Sequence, residues 1–182
     1  MKILQLCFIN NYWRADDYVE SIDIKTGSNV LDLPNDYGKS FDLVIASPPC
    51  DQFTKANTLN WIEYPDYFIS VAKKCFEICI SSGNPWIYEN PPGRIETFVP
   101  GLKQFRIATW HGSVTNKEYI VYSNQLIIFS PVKRYGKPGS VNNFSKRKRE
   151  AWQKDFFEAI QSIRKTEKEF PASKFPVRSS CL

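Results

Sequence analysis

Histidine is almost missing from this chain of 182 residues, in which His111 stands alone. A single histidine leaves little with which to build a Ser-His-Asp arrangement or a metal site of several imidazoles. Apolar runs are short, and none approaches the ~18 residues that a membrane-spanning helix needs. Residues 1–6 also lack the anatomy of a signal peptide, so we expect a cytoplasmic protein with no membrane partner.

Glycine and cysteine are sparse as well. No glycine precedes Gly27, so the turn after the first predicted strand lacks the residue that best accepts positive φ angles. The five cysteines are odd in number and scattered. Cys75 and Cys79 lie one helical turn apart, which gives too few ligands for zinc and indicates one packed face of a helix. We therefore expect no metal.

The basic residues are more informative by position than by number. The net charge of +5 is modest and suggests a polyanionic partner. One run of consecutive basic residues either binds phosphates or begins a solvated helix, and the sequence leaves both interpretations open. The run consists of Lys146, Arg147, Lys148 and Arg149.

The length suits one domain, which we place at residues 1–169, followed by an irregular tail at 170–182. Apolar spacing predicts a helix over residues 66–81 and another from Ser145 to about Lys168. The order strand, helix, strand indicates a parallel unit, and the last two strands suit an antiparallel edge, so we expect an α/β fold. The strands are predicted at residues 2–8, 18–24, 41–46, 86–88, 105–110 and 118–129, with a shorter apolar segment at 29–33.

The apolar run at residues 41–46 is typical of a strand buried on both faces. It is followed by a turn that two prolines stiffen, Ser47-Pro48-Pro49-Cys50. Neither proline can donate to a ladder, and Pro49 keeps Pro48 out of helical angles. Ligands bind at the carboxyl ends of strands in open α/β sheets, so Cys50 is a candidate nucleophile. The alternative is an inert, packed thiol, which is common for cysteine.

A second turn of this kind follows the apolar and aromatic run at residues 86–88. It begins with Glu89 and Asn90 and continues with two prolines and Gly93. Two strands that end in this way place Cys50 and Glu89 at the same rim of one sheet. A thiol and a carboxylate that face one pocket form a reaction centre, which favours a catalytic role for the cysteine.

This order of elements resembles the DNA (cytosine-5) methyltransferases, and most closely the small phage-type members that lack a large target-recognition domain. The resemblance covers roughly residues 1–129 and rests on Pro-Pro-Cys and Glu-Asn, in this order and each after a predicted strand. It implies a Rossmann-like class I methyltransferase sheet, mostly parallel with an antiparallel edge and with helices on both faces. It also implies cytosine-C5 methylation of DNA or of a cytosine nucleotide, with S-adenosylmethionine as the cofactor.

Carbon 5 of cytosine is a poor nucleophile, and the resemblance implies how the chain overcomes this. The Cys50 thiolate adds to carbon 6, which turns the ring into an enamine that attacks an electrophilic methyl group. Glu89 meets the charge at nitrogen 3 with a proton or a hydrogen bond, which a pocket screened from water favours by raising a carboxyl pKa. Asn90 holds the base or the turn. Because carbon 5 is shielded in a duplex, the base is flipped out or already unpaired.

The resemblance implies two sets of binding residues. An acid after the second strand binds the ribose and a carboxylate lies beside the adenine, and these roles fall on Asp23 and Asp32. The complete cofactor set is Cys7, Phe8, Asp23, Ile24, Asp32, Ser47 and Pro48. The substrate set is Pro49, Gln52, Arg94, Lys117 and the basic run Lys146, Arg147, Lys148 and Arg149.

The chain departs from the family pattern in two places. Bulky residues at 8–13 replace the glycines of the cofactor turn, and Lys117 stands where the family has arginines. The first departure motivates an alternative function, in which Cys50 and Glu89 modify a cytosine base or nucleotide without S-adenosylmethionine. Deamination and the addition of another one-carbon unit are examples of such chemistry.

Two further alternatives remain. An amino-methyltransferase acting on an exocyclic nitrogen has a similar Ser-Pro-Pro turn, but it places an aromatic residue where this chain has Cys50. A degenerate methyltransferase fold could instead bind nucleic acid or protein through its basic helix without catalysis. A binding module has no need for Cys50 and Glu89 together, which argues against this last interpretation.

Overall fold

The computed structural model describes residues 1–7, 13, 15–50, 66–91, 93, 95, 104–107 and 119–125. These residues form a six-stranded sheet with a long helix packed on it. The strands are β1 (Lys2–Leu6), β2 (Tyr18–Ile22), β3 (Leu43–Ala46), β4 (Trp86–Asn90), β5 (Gln104–Ile107) and β6 (Tyr119–Ser123), and the helix is α1 (Asp66–Ser81).

The sheet has the strand order β2-β1-β3-β4-β6-β5. The strands β2, β1, β3 and β4 run parallel to one another, whereas β6 is antiparallel to both β4 and β5. The predicted α/β fold with a mostly parallel sheet and an antiparallel part is therefore confirmed. The second predicted helix and the tail at 170–182 lie outside the described residues.

Several strand ends differ from the predicted ones: β1 ends at Leu6 and β3 begins at Leu43, two residues inside their predicted bounds, and the ends of β2 and β4 differ for identifiable reasons. β2 ends at Ile22, because the carboxylate of Asp23 accepts a hydrogen bond from Lys25 N and starts a short 3₁₀ helix, Ile24–Thr26. β4 continues through Glu89 and Asn90, which the sequence places in a turn. These two residues pair with β6, a strand about 30 positions later in the chain, and this pairing extends β4. The prediction that β4 ends before Glu89 is wrong.

The core lies between the central strands and one face of α1. Cys75 and Cys79 are fully buried on this face, which confirms the predicted packed face. Phe76 packs edge-on against Trp86 and Tyr88, with ring centroids 5.9 and 5.6 Å apart, a favourable geometry for aromatic pairs. Among the helices in the described ranges, none is long and apolar enough to cross a membrane.

Replacement of Gly38 by alanine is expected to destabilise the protein by about 1–3 kcal/mol, because the added methyl group has no space. Its Cβ would lie 2.9 Å from the Cβ of Ser82 and 3.2 Å from the backbone oxygen of Ile78. Urea unfolding measures the loss, with Ser40→Ala as an exposed control in the same turn. Equal unfolding midpoints for the two variants would contradict the packing argument.

Candidate active site

The carboxyl ends of β1, β2 and β3 surround a cavity of about 350 Å³. The chain runs from β1 to its neighbour β2 and then returns to β3 on the other side of β1. This reversal makes the gap between β1 and β3 a topological switch point, where open α/β sheets bind ligands. The first turns of α1 also line the cavity, through Tyr67, Phe68 and Val71. The sheet therefore has a cavity where its topology predicts a ligand site.

Two side-chain hydrogen bonds join the turn after β3 to the end of β4. Ser47 Oγ donates to Glu89 Oε2 at 2.8 Å, and Asn90 Nδ2 donates to the backbone oxygen of Pro48 at 2.9 Å. Glu89 is only 4% exposed, and Asn90 is fully buried. The two buried side chains thus hold the turn that carries Cys50. Of the two predicted roles of Asn90, holding the turn is the one that this contact provides.

Cys50 is half-buried, is not part of a disulfide and lines the cavity. Three residues of the same turn, Ser47, Pro48 and Pro49, line it too. Glu89 is not part of this lining within the described residues, and it meets the turn through the hydroxyl of Ser47. The structure therefore brings the predicted thiol and the predicted acid to the same end of neighbouring parallel strands.

The turn after β1 begins with an unusual backbone conformation at Cys7. Its φ angle is 55°, and it is the one non-glycine residue with positive φ in the part of the chain described. Its N–H donates to the backbone oxygen of Ile22 at 2.8 Å, which ties the turn to β2. Cys7 also lines the cavity. A turn without glycine thus starts in the left-handed region that glycine normally occupies most easily.

The thiols of the core and of the cavity have different environments. Burial and, second, a hydrogen bond with Cys7 raise the pKa of Cys75, and burial alone raises the pKa of Cys79. The Cys7 and Cys75 sulfur atoms lie 3.7 Å apart. Both helix thiols are therefore protonated at neutral pH and act as packing groups. The thiols of Cys7 and Cys50 are the ones that border the cavity in the described residues.

The turn after β2 supplies the charged residues of the cavity, which are Asp23 and Lys25 among the described lining. Asp23 is half-buried and caps the 3₁₀ helix that follows it. Ile24 also lines the cavity and is 67% exposed, an unusual position for a large apolar side chain. Asp32 ends a second 3₁₀ helix, Val30–Asp32, and is exposed outside the described lining, so its predicted role stays a prediction.

Sequence reasoning missed several lining residues, namely Ser28, Asn29, Tyr67 and Phe68. Asn29 had a readable signal, because an asparagine before an apolar pair often caps a turn, and its Oδ1 does accept from Leu31 N at 3.1 Å. Tyr67 and Phe68 had no such signal. The apolar spacing of α1 predicts a packed face, but it does not show which part of the protein the first turn of the helix contacts.

Several predicted site residues lie outside the described residues. They are Phe8, Gln52, Arg94, Lys117, Lys146, Arg147, Lys148 and Arg149. Within the described ranges, no three histidine, cysteine, aspartate or glutamate residues come together as metal ligands.

Comparison of the chain with models of known protein families gives no match, and comparison with curated proteins gives none either. The arrangement itself has definite chemical capabilities. It presents a thiol at the wall of a cavity that also has one carboxylate and an exposed apolar side chain, and a buried carboxyl group that is hydrogen-bonded to Ser47 of the same turn. A thiol and a carboxyl group are the groups that covalent chemistry with proton transfer needs.

Proposed function

We propose that the protein is a cytosine-C5 methyltransferase that acts on DNA or on a cytosine nucleotide. The observation that carries this proposal is the pair of hydrogen bonds from Ser47 to Glu89 and from Asn90 to Pro48. They connect the two motifs that resemble the DNA (cytosine-5) methyltransferases, which are separate in the sequence. The turn with Cys50 and the strand end with Glu89 thus belong to one unit.

The reaction assigns a separate task to each side chain. The Cys50 thiolate forms a bond to carbon 6 of cytosine, and the electrons of the 5,6 double bond move to carbon 5 and nitrogen 3. Glu89 donates a proton or hydrogen bond to nitrogen 3, so that the ring does not carry an uncompensated charge. Carbon 5 would then take the methyl group from the donor, which leaves as the neutral thioether. Loss of the hydrogen on carbon 5 as a proton lets the sulfur–carbon 6 bond break, so that the thiolate returns, and a proton given to nitrogen 3 goes back to Glu89.

The size and the lining of the cavity support S-adenosylmethionine as the proposed cofactor. Its volume of about 350 Å³ lies within the range of small-molecule sites. Asp23 would accept hydrogen bonds from ribose hydroxyls, and the exposed side chain of Ile24 would cover the adenine. Cys7, Ser47 and Pro48 would form the opposite wall. When bound, this cofactor supplies an electrophilic methyl group.

The topology supports a Rossmann-like class I methyltransferase sheet in the same proposal. Such a fold requires helices on both faces, and α1 covers one of them. The switch point between β1 and β3 and the antiparallel β6 beside β4 suit this arrangement. The basic run at residues 146–149 would then contact phosphates and favour a nucleic-acid substrate.

Calorimetric titration of S-adenosylmethionine tests the cofactor site. We expect micromolar binding by the wild-type chain and at least about tenfold weaker binding by Asp23→Ala, because a carboxylate that accepts hydroxyl hydrogen bonds contributes about 1.5–3 kcal/mol. Asp36→Ala is the matched control, since Asp36 is an exposed carboxylate outside the described cavity lining. Transfer of a tritiated methyl group to DNA with unpaired cytosines then tests the reaction.

The two measurements separate the alternatives. Binding without transfer to any cytosine substrate would contradict the methyltransferase proposal and favour a binding role. Absence of binding, together with cysteine-dependent change of a cytosine base, would move the conclusion to modification without this cofactor. Methylation at the exocyclic nitrogen of cytosine or adenine would support the amino-methyltransferase alternative.

A further inference from the structure

Ser47 connects the cavity with the buried carboxyl group of Glu89. Its hydroxyl donates to Glu89 Oε2 at 2.8 Å, and its backbone N–H donates to the oxygen of Leu6 at 3.0 Å. The second bond fixes the backbone of Ser47 against β1, which limits the positions that the hydroxyl can take. Ser47 is half-buried and lines the cavity, whereas Glu89 is almost fully buried.

We propose that Ser47 is a positioning residue, whose hydroxyl holds the Glu89 carboxyl group in the orientation that meets nitrogen 3 of the substrate base. The proposal rests on the proposed cytosine chemistry of Cys50 and Glu89. It assigns Ser47 a task at the acid, in addition to its place in the cavity wall.

A hydroxyl suits this task better than other hydrogen-bonding groups. A carboxyl group that gives up a proton and takes it back needs a partner for both of its forms. A serine hydroxyl donates to the ionised form and can rotate to accept from the protonated form. A backbone N–H or a guanidinium only donates, so it would stabilise the anion alone. Burial makes the partner necessary, since an unsatisfied carboxylate in a protein interior is costly.

Hydrogen exchange at carbon 5 tests the role without a methyl donor. Addition of the Cys50 thiolate forms the sulfur–carbon 6 bond, and a solvent proton then adds to carbon 5. Loss of the original hydrogen from carbon 5 to water, followed by cleavage of the sulfur–carbon bond, restores cytosine. The net result is exchange with no oxidation or reduction. Release of tritium from DNA that contains [5-³H]cytosine measures it in buffer without S-adenosylmethionine.

We expect Ser47→Ala to lower the maximal exchange rate about 10- to 100-fold, because a hydrogen bond to a carboxyl group that reacts is lost. The limb of the pH–rate profile that the carboxyl group sets should move to higher pH, since its ionised form loses a donor. The limb of the profile that the thiol sets should stay at the same pH. The titratable side chains that the described residues bring to the cavity and to Ser47 are Cys7, Asp23, Lys25, Cys50, Tyr67 and Glu89.

Ser47→Thr and Ser47→Val form a matched pair of almost equal shape, and they remain informative even if the alanine variant does not fold. We expect threonine to restore most of the exchange rate and valine to restore none. Ser123→Ala is the control for loss of a buried hydroxyl elsewhere, because Ser123 Oγ donates to the backbone oxygen of Trp86 at the opposite end of β4. It should lower stability and leave the pH profile unchanged.

The outcomes distinguish the two proposals. A wild-type protein that shows neither exchange nor methyl transfer would overturn the proposed function and the role of Ser47 with it. An active wild-type protein whose Ser47→Ala or Ser47→Val variant keeps the wild-type rate and pH profile would overturn the role of Ser47 alone. Equal losses in the threonine and valine variants would also overturn it, because they would indicate a packing effect.

Discussion

Replacement of Cys50 by serine is expected to abolish methyl transfer, with a loss of at least about 10⁴-fold in kcat/KM. A serine hydroxyl has almost no anion at neutral pH, whereas a cysteine has a few per cent of the intrinsically stronger thiolate. The side chain keeps its size and its half-buried position beside the cavity. The substitution therefore removes the nucleophile and leaves the shape of the site nearly intact.

A covalent complex identifies the step that fails. An oligonucleotide with 5-fluorocytosine keeps the sulfur–carbon 6 bond after methyl transfer, because fluorine cannot leave carbon 5 as a proton would. Wild-type protein incubated with this oligonucleotide and S-adenosylmethionine should give a band that resists denaturation and a matching increase in mass. Cys50→Ser should give none.

The same chemical change at another cysteine serves as the control. Cys181 belongs to none of the motifs, so Cys181→Ser should leave both the complex and methyl transfer as they are in the wild type. Retention of the covalent complex by Cys50→Ser would contradict the assignment of the nucleophile. Loss of the complex in both variants would indicate damage to the fold, which thermal unfolding of each variant would reveal.

Local patterns predicted the elements whose boundaries depend on local interactions. Apolar spacing and the following Gly83, which has a φ of 68°, predicted α1 with the bounds that it has. The apolar run after Phe41 gave the buried strand β3 in the same way. The sequence also contains a signal for the turn after β2, since an aspartate four residues before a glycine is typical of a capped turn.

Pairing between distant strands escaped prediction for a physical reason. Glu89 and Asn90 are polar and precede two prolines, so their local preference is a turn. Their partners Val121 and Ile120 come from β6, and only the folded sheet brings these residues together. The hydrogen bonds from Ser47 and Asn90 depend on the same juxtaposition. The sequence could therefore predict that Cys50 and Glu89 lie at the same end of the sheet, but it could not indicate which side chains join their two segments.

The free energy of unfolding is expected to fall steeply above about pH 9. Burial raises the pKa of both Cys75 and Cys79, so the folded state keeps protons that the unfolded state releases. Full stability is present below the ordinary thiol pKa and is lost as pH rises from that value toward the raised values in the fold. In this range each buried thiol lowers the free energy of unfolding by roughly 1 kcal/mol for every pH unit. Burial also raises the pKa of Tyr88, which adds to the loss above about pH 10.

Urea unfolding between pH 7 and 10.5, with a reductant present, measures this dependence. Cys79→Ala should be less stable at neutral pH, because it leaves a small cavity, but its stability should fall less steeply with pH because one titrating group is gone. Ile78→Val is the matched control, since Ile78 is fully buried on the same helix and has no ionisable group. It should lower stability equally at every pH. A slope for Cys79→Ala equal to that of the wild type would show that the Cys79 thiol does not titrate on unfolding, and the loss above pH 9 would then need another origin.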